Sequence, residues 1–193
     1  MKLILSSSDF GNPESAKFIK NNLGKPIENC KVLFFPNEKA TEEKIISNKY
    51  KDRLSAFGFQ SENITVFNYY DPYGYDKLDI DVIYISGGNT FGTIKRIREA
   101  NADKLIVDYV INKNAVYIGG SAGAHIASVS ISHVKKYDTN TFGTTDYSGL
   151  GLFKGILICH LNKDRETHFN ELKESCALNV VALKDNDSIL INK

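Results

Sequence analysis

Cysteine is scarce in this chain. Cys30, Cys159 and Cys176 are three in number, too few and too odd for a disulfide scaffold. They fit a reducing compartment, and the cytoplasm is the expected location. No apolar run approaches the ~18 residues that a membrane helix needs, so no span is expected. The opening MKLIL meets SSSDF after five residues, too short for a signal-peptide core, and it reads as a first strand. An excess of charge is missing too. Twenty-four Lys and Arg against 23 Asp and Glu leave +1, with no basic block for nucleic acid and no acidic tail. There is no G-x-x-x-x-G-K-[ST] loop, which argues against a nucleotide site. Repeats, linkers and low-complexity tracts are absent. The 193 residues are therefore read as a single domain, 1–193. A chain of this size buries roughly 70% of the surface it exposes when unfolded.

What the chain does have is a glycine-rich stretch at 115–127, AVYIGGSAGAHIA. Residues 115–118 form a short apolar strand, a glycine turn follows, and a helix begins near Ser121. Gly119, Ser121 and Gly123 make G-x-S-x-G, the pattern of a nucleophile elbow. A serine at the tip of a strand-to-helix turn has a strained backbone and crowded flanks. Glycine two residues before and after removes the Cβ atoms that would clash. With glycine at about 7% of residues, a bare G-x-S-x-G arises by chance in about one chain of this size in ten. The flanking strand and helix signals are what favour a nucleophile over a plain glycine turn or a phosphate-binding loop.

Around this stretch the pattern alternates. Strands are expected at 3–5, 31–35, 64–67 and 80–85, with the elbow strand fifth and another at 156–159. Asn12 and Pro13 start a helix that runs to about Leu23. Thr41 caps a long helix whose face is Ile46, Tyr50, Leu54 and Phe57, ended by Gly58. Helices are expected at 90–100 and 103–111, and a short one from Asp164 or Thr167 to Glu174. Two strands around Lys184-Asp185-Asn186-Asp187 read as a C-terminal hairpin. The alternation predicts an α/β fold with a mostly parallel sheet covered on both faces. Sites in such sheets lie beyond the carboxyl ends of the strands. Two glycine turns fall there: the elbow, and Ser86-Gly87-Gly88-Asn89-Thr90.

A serine nucleophile needs a base, and the base needs an orienting acid. His125 lies one helical turn past Ser121 and reads as packing or pocket lining. His133 sits in a polar stretch, and His168 lies inside a helix. His160 ends an apolar strand, at the sheet edge that should carry the elbow, and is the favoured base. Asp138 and Asp146 are both open as the acid. The N–H of Ala122 supplies one oxyanion donor, and the Gly87-Gly88-Asn89 loop is the natural source of a second. The cluster Tyr69, Tyr70, Tyr73 and Tyr75 packs or lines a pocket. Histidine and cysteine spacings do not suggest structural zinc.

Three segments together resemble the dipeptidase E (aspartyl dipeptidase) family of serine peptidases, to which cyanophycinase is related. They are ISGGNTF at 85–91, the GSAGA elbow about 30 residues on, and DYSGLGLF…ILICH from 146 to 160. The resemblance implies a three-layer α/β sandwich like that of class I glutamine amidotransferases, with serine in place of their elbow cysteine. It implies Ser121 as nucleophile, His160 as base and Asp138 as the third member. Gly88 and Ala122 would form the oxyanion hole. Asn89 and Arg165 would bind substrate, the guanidinium selecting an N-terminal aspartate. No cofactor or metal is implied. The expected partner is a small peptide substrate, with neither nucleic acid nor membrane, and the chain is expected to act as a monomer or homodimer. Two other readings stay open: an esterase using the same triad, and a non-catalytic module holding a small anion at helix N-termini.

Overall fold

Five short apolar strands line up in parallel at the centre of the molecule. The computed structural model describes residues 1–192. Its main sheet has the order β3 (Ile64–Val66), β2 (Val32–Phe35), β4 (Val82–Ile85), β5 (Val116–Gly120), β1 (Lys2–Ser6) and β8 (Ser188–Asn192). Only β8 runs antiparallel, pairing Lys2 with Asn192 and Ser6 with Ser188. Every residue of β2, β4 and β5 is buried, which is why these strands read as continuous apolar runs rather than alternating ones.

Alternation along the strands sends side chains to two cores. Leu5, Leu33, Ile83 and Tyr117 pack with Ile97, Ile106 and Tyr109 of α4 (Thr90–Glu99) and α5 (Ala102–Ile111). Ile4, Phe34, Tyr84 and Ile118 face the other way, onto Ile19 and Leu54 of α1 (Pro13–Asn22) and α3 (Lys49–Phe57). Helices thus cover both faces, giving three layers. No helix among the described residues is long and apolar enough to cross a membrane.

Local signals account for most element ends. The Asn12 side chain accepts the Ser15 N–H and Pro13 opens α1, while Gly58 closes α3 in the left-handed region at φ 117°. The long helix expected from Thr41 is two helices. α2 (Glu42–Ile46) stops at Ser47, whose N–H still reaches the Glu43 carbonyl but whose ψ is 167°. Ile46 is 72% exposed, so it leaves the face that Tyr50, Leu54 and Phe57 keep.

The C-terminal hairpin does not form. β7 (Asn179–Ala182) pairs in parallel with β6 (Gly155–Ile158) in a separate two-stranded sheet, while β8 joins the main sheet beside β1. The turn between β7 and β8 is therefore a crossing between sheets. Because β8 is antiparallel to β1, that crossing lies at the carboxyl-terminal edge of the parallel strands.

Candidate active site

Ser121 follows β5 and caps α6 (Ala122–Ala127) with φ 47° and ψ −104°. This is a sparsely populated conformation for a residue with a side chain, and costs of order 1–3 kcal/mol that the surroundings must impose. They do so by close packing. A Cβ on Gly123 would lie 2.2 Å from the Ile85 carbonyl oxygen, and one on Gly119 would lie 2.7 Å from that of Gly123. The Tyr117 hydroxyl donates to the Gly123 carbonyl at 2.6 Å, and the Ser121 N–H donates to Ser6 O at 2.9 Å.

His160 lies just past β6, also at positive φ, 55°. Its peptide N–H donates to Ser7 Oγ at 2.8 Å. The preceding carbonyl, of Cys159, accepts Arg165 Nη1 at 2.6 Å. The imidazole bridges two side chains. Ser121 Oγ is 2.9 Å from Nε2, and Asp185 Oδ1 is 2.6 Å from Nδ1. A carboxylate only accepts, so Nδ1 carries the proton and Nε2 is free to take one from the serine. Asp185 comes from the turn between β7 and β8. That turn is pinned by Ser7 N–H to Asp187 O at 3.1 Å and by Asn12 Nδ2 to Asp185 O at 3.0 Å.

Asp138, expected as the third member, is elsewhere. Its Oδ2 accepts the Thr90 N–H at 2.8 Å, and both imidazole nitrogens of His160 are taken by other groups. Asp146 is no closer to the role: it is ion-paired with Arg98 at 3.3 Å and accepts from Ser148. Sequence reasoning passed over Asp185 because its turn looked like a hairpin tip. The one signal available was an acidic turn just before the last strand.

The loop after β4 touches the serine. A Cβ on Gly87 would stand 3.4 Å from that of Ser121. Residues after β2 hold this loop: Asn37 Nδ2 donates to Gly87 O at 3.0 Å, and Glu38 Oε2 accepts the Asn89 N–H at 3.0 Å. Gly88 passes so near Asn37 and Glu38 that a Cβ would lie 2.6 Å from the Asn37 Cβ and 2.5 Å from Glu38 Oε2, so a larger residue would displace the side chains that hold the loop. Neither the Gly88 nor the Ala122 N–H donates to an acceptor among the described residues. Asn89 is not available for substrate through its side chain. Oδ1 caps α4 at Gly92 N–H and Nδ2 donates to Thr139 O, each at 3.0 Å. Arg165, near the start of α7 (Lys163–Ser175), lies 4.2 Å over the Tyr137 ring. With Tyr137, Asn162, Thr167 and His168 it lines an open cleft of about 450 Å³.

Among the described residues no other histidine hydrogen-bonds the Ser121 hydroxyl. Burial holds His125 well below the ordinary imidazole range, and His133 is pushed down to about 4 for the same reason. His168 Nδ1 shares a hydrogen bond with the Tyr137 hydroxyl. Burial likewise raises the Cys159 thiol, whose sulfur sits 3.7 Å from Ser121 O; it is inert there. Tyr69 packs against Phe67 under Arg96, whereas Tyr73 is 83% exposed. No group of three or more His, Cys, Asp or Glu among the described residues is placed to hold a metal ion.

The family model described as peptidase family S51 matches residues 2–193. The chain belongs to peptidase family S51. Like that family it is a serine peptidase. The S51 chain is 29% identical to an uncharacterized peptidase of Listeria monocytogenes over 182 residues, 90% of this chain and 83% of that one. It is 36% identical to peptidase E of Citrobacter koseri over 100 residues, covering 50% and 41% of the two chains. It is 29% identical to a probable alpha-aspartyl dipeptidase of Drosophila melanogaster over 133 residues, covering 67% and 53%. A crystal structure of a candidate peptidase E protein from Listeria monocytogenes has the same fold. Its TM-score is 0.73 at 22% identity, over 98% of this chain and 93% of that one.

Proposed function

We propose that this S51 peptidase cleaves dipeptides with a free N-terminal aspartate through an acyl-enzyme on Ser121. The observation that carries the reading is the continuous contact from Ser121 Oγ through the His160 imidazole to Asp185, at 2.9 and 2.6 Å, on a strained elbow. His160 Nε2 takes the hydroxyl proton as the oxygen attacks the scissile carbonyl. Asp185 holds Nδ1–H and steadies the imidazolium. The N–H groups of Gly88 and Ala122 receive the oxyanion. His160 then protonates the leaving amine, and a water molecule repeats the steps on the acyl-enzyme.

Support for the aspartyl preference comes from the Drosophila relative, a probable alpha-aspartyl dipeptidase, and from Arg165. One of its nitrogens is anchored on Cys159 O and its plane is fixed over Tyr137, which leaves the rest of a pre-oriented guanidinium for a carboxylate. Three unpaired cysteines fit a cytoplasmic enzyme. The test is turnover of Asp-X, Glu-X and Ala-X dipeptides by wild type and Ser121→Ala. Turnover of Asp-X alone, abolished by the substitution, is the expected result. No turnover of any dipeptide, with a fluorophosphonate still labelling Ser121, would move the assignment to another acyl substrate.

A further inference from the structure

The elbow helix carries a second histidine with no part in the steps above. His125 lies one turn beyond Ser121, and its peptide N–H donates to Ser121 O at 3.0 Å. Its ring is only 3% exposed, yet it is fully used. Nε2 is 3.2 Å from the Cys159 peptide nitrogen, and Nδ1 is 3.3 Å from Thr90 Oγ1. A peptide N–H can only donate, so Nε2 must present a lone pair. The proton is then on Nδ1 and is given to the threonine hydroxyl. One neutral imidazole thereby joins three pieces of the site. They are the helix behind the nucleophile, the strand end that delivers His160, and the first residue after the loop of Gly88.

We infer that His125 is a positioning residue for the reaction: as the Nδ1-protonated neutral tautomer it sets the distance between the base and the nucleophile. The inference rests on the reading of Ser121 and His160 given above. Each backbone polar group on either side of the Cys159–His160 peptide has its own tether. Ser7 Oγ takes the His160 N–H and Arg165 holds the Cys159 carbonyl. The Cys159 N–H is held by His125 alone, and His125 is the tether that runs to the nucleophile's own helix. Its other end reaches Thr90, whose N–H is in turn held by Asp138 at 2.8 Å. This gives Asp138 a place in the site without contact with the base. It anchors the threonine that anchors the histidine. Positive φ at both Ser121 and His160 means that neither residue relaxes into position unaided. The imidazole is the cross-brace between them. A shift of about 1 Å in such a pair can lower turnover by about 10²-fold.

The test uses His125→Phe, His125→Gln and Thr90→Val, with wild type and Ser121→Ala as references. Phenylalanine keeps the volume and removes both hydrogen bonds. Glutamine can return an acceptor to the Cys159 N–H. Thr90→Val cuts the far end and leaves the ring in place, so it serves if His125→Phe fails to fold. The expected result is a fall in kcat of about 10-fold to 10²-fold for His125→Phe and Thr90→Val, with little change in KM. His125→Gln should recover most of the loss, at a melting temperature no higher than that of the phenylalanine variant. Folded His125→Phe and Thr90→Val with wild-type kcat would overturn the proposal. Nitrogen NMR of ¹⁵N-histidine-labelled wild-type protein supplies a readout independent of substrate. It should show His125 protonated at Nδ1 only; an Nε2-protonated or charged ring at neutral pH would also overturn it. Inactivity of wild type on every dipeptide would count against the peptidase reading, and the tautomer would still decide this one.

Discussion

Asp185 is exposed to water, yet it is the residue on which the catalytic reading turns. Its side chain is 73% accessible and that of His160 is 36%. Water can therefore replace part of what the carboxylate gives, but it cannot fix the ring. Asp185→Ala should lower kcat by about 10²-fold to 10⁴-fold with a near-wild-type melting temperature. Asp138→Ala should instead act through the loop at Thr90, with a smaller loss. A steady-state comparison of the two variants decides between them. An Asp185→Ala enzyme as fast as wild type, beside a dead Asp138→Ala, would restore Asp138 as the acid. In sequence the two aspartates are equivalent in kind. Asp138 lies 22 residues before the base and Asp185 lies 25 after it. Spacing favours neither, because the distance that matters is set by two strand pairings and not by the chain.

The element that makes the site is the β5–α6 elbow. Gly119 and Gly123 can be read locally, since each is squeezed by a backbone within a few residues or on the adjacent strand, whereas Gly120 is crowded by the distant Asp9 side chain. Gly123→Ala is the sharper test. Its new methyl would lie 2.2 Å from the Ile85 carbonyl oxygen, and neither group is a mobile side-chain end. We expect destabilisation of about 1–3 kcal/mol or more and loss of fluorophosphonate labelling at Ser121. Urea unfolding and labelling, measured on the same preparation, check both. A Gly123→Ala protein as stable and as reactive as wild type would mean that the turn is looser than its contacts require. The same element shows where local reading stops. The stretch around Thr41 has one amphipathic pattern but forms two helices, because the burial available under Ile46 ends before the sequence pattern does.

At the scale of the whole molecule, the buried histidines make folding sensitive to acid. In an unfolded chain an imidazole binds its proton below about pH 6.5. Folded His133 does so only below about 4, because burial disfavours the charge, although its Nε2–H donates to Leu157 O. Between those values the unfolded state holds more protons, so stability rises with pH and falls as acid is added. The full difference is roughly 3 kcal/mol for this one group. His125, also held well below the ordinary range by burial, adds to it in the same direction. Urea midpoints should therefore drop steadily from about pH 6.5 to about pH 5, above most carboxylate titrations. His133→Phe should flatten part of that slope. A midpoint that stays constant through this range would show that the two rings are reached by protons without unfolding.

The α/β class, the parallel strands, the strand-to-helix turn at Ser121, the placement of His160 beside it and the glycine loop at Gly88 were all legible in the sequence. Each rests on short-range rules: apolar runs of strand length, caps, and glycine where backbones crowd. The partner of His160, the restraint of Asn89 and the bridging role of His125 were not legible. They depend on which strand lies beside which. β7 and β8 look like one hairpin because they are close in sequence and share a turn. Each instead pairs in a different sheet, β7 beside β6 and β8 along the open edge of β1. That choice is made by the whole core, and it carries Asp185 to the histidine.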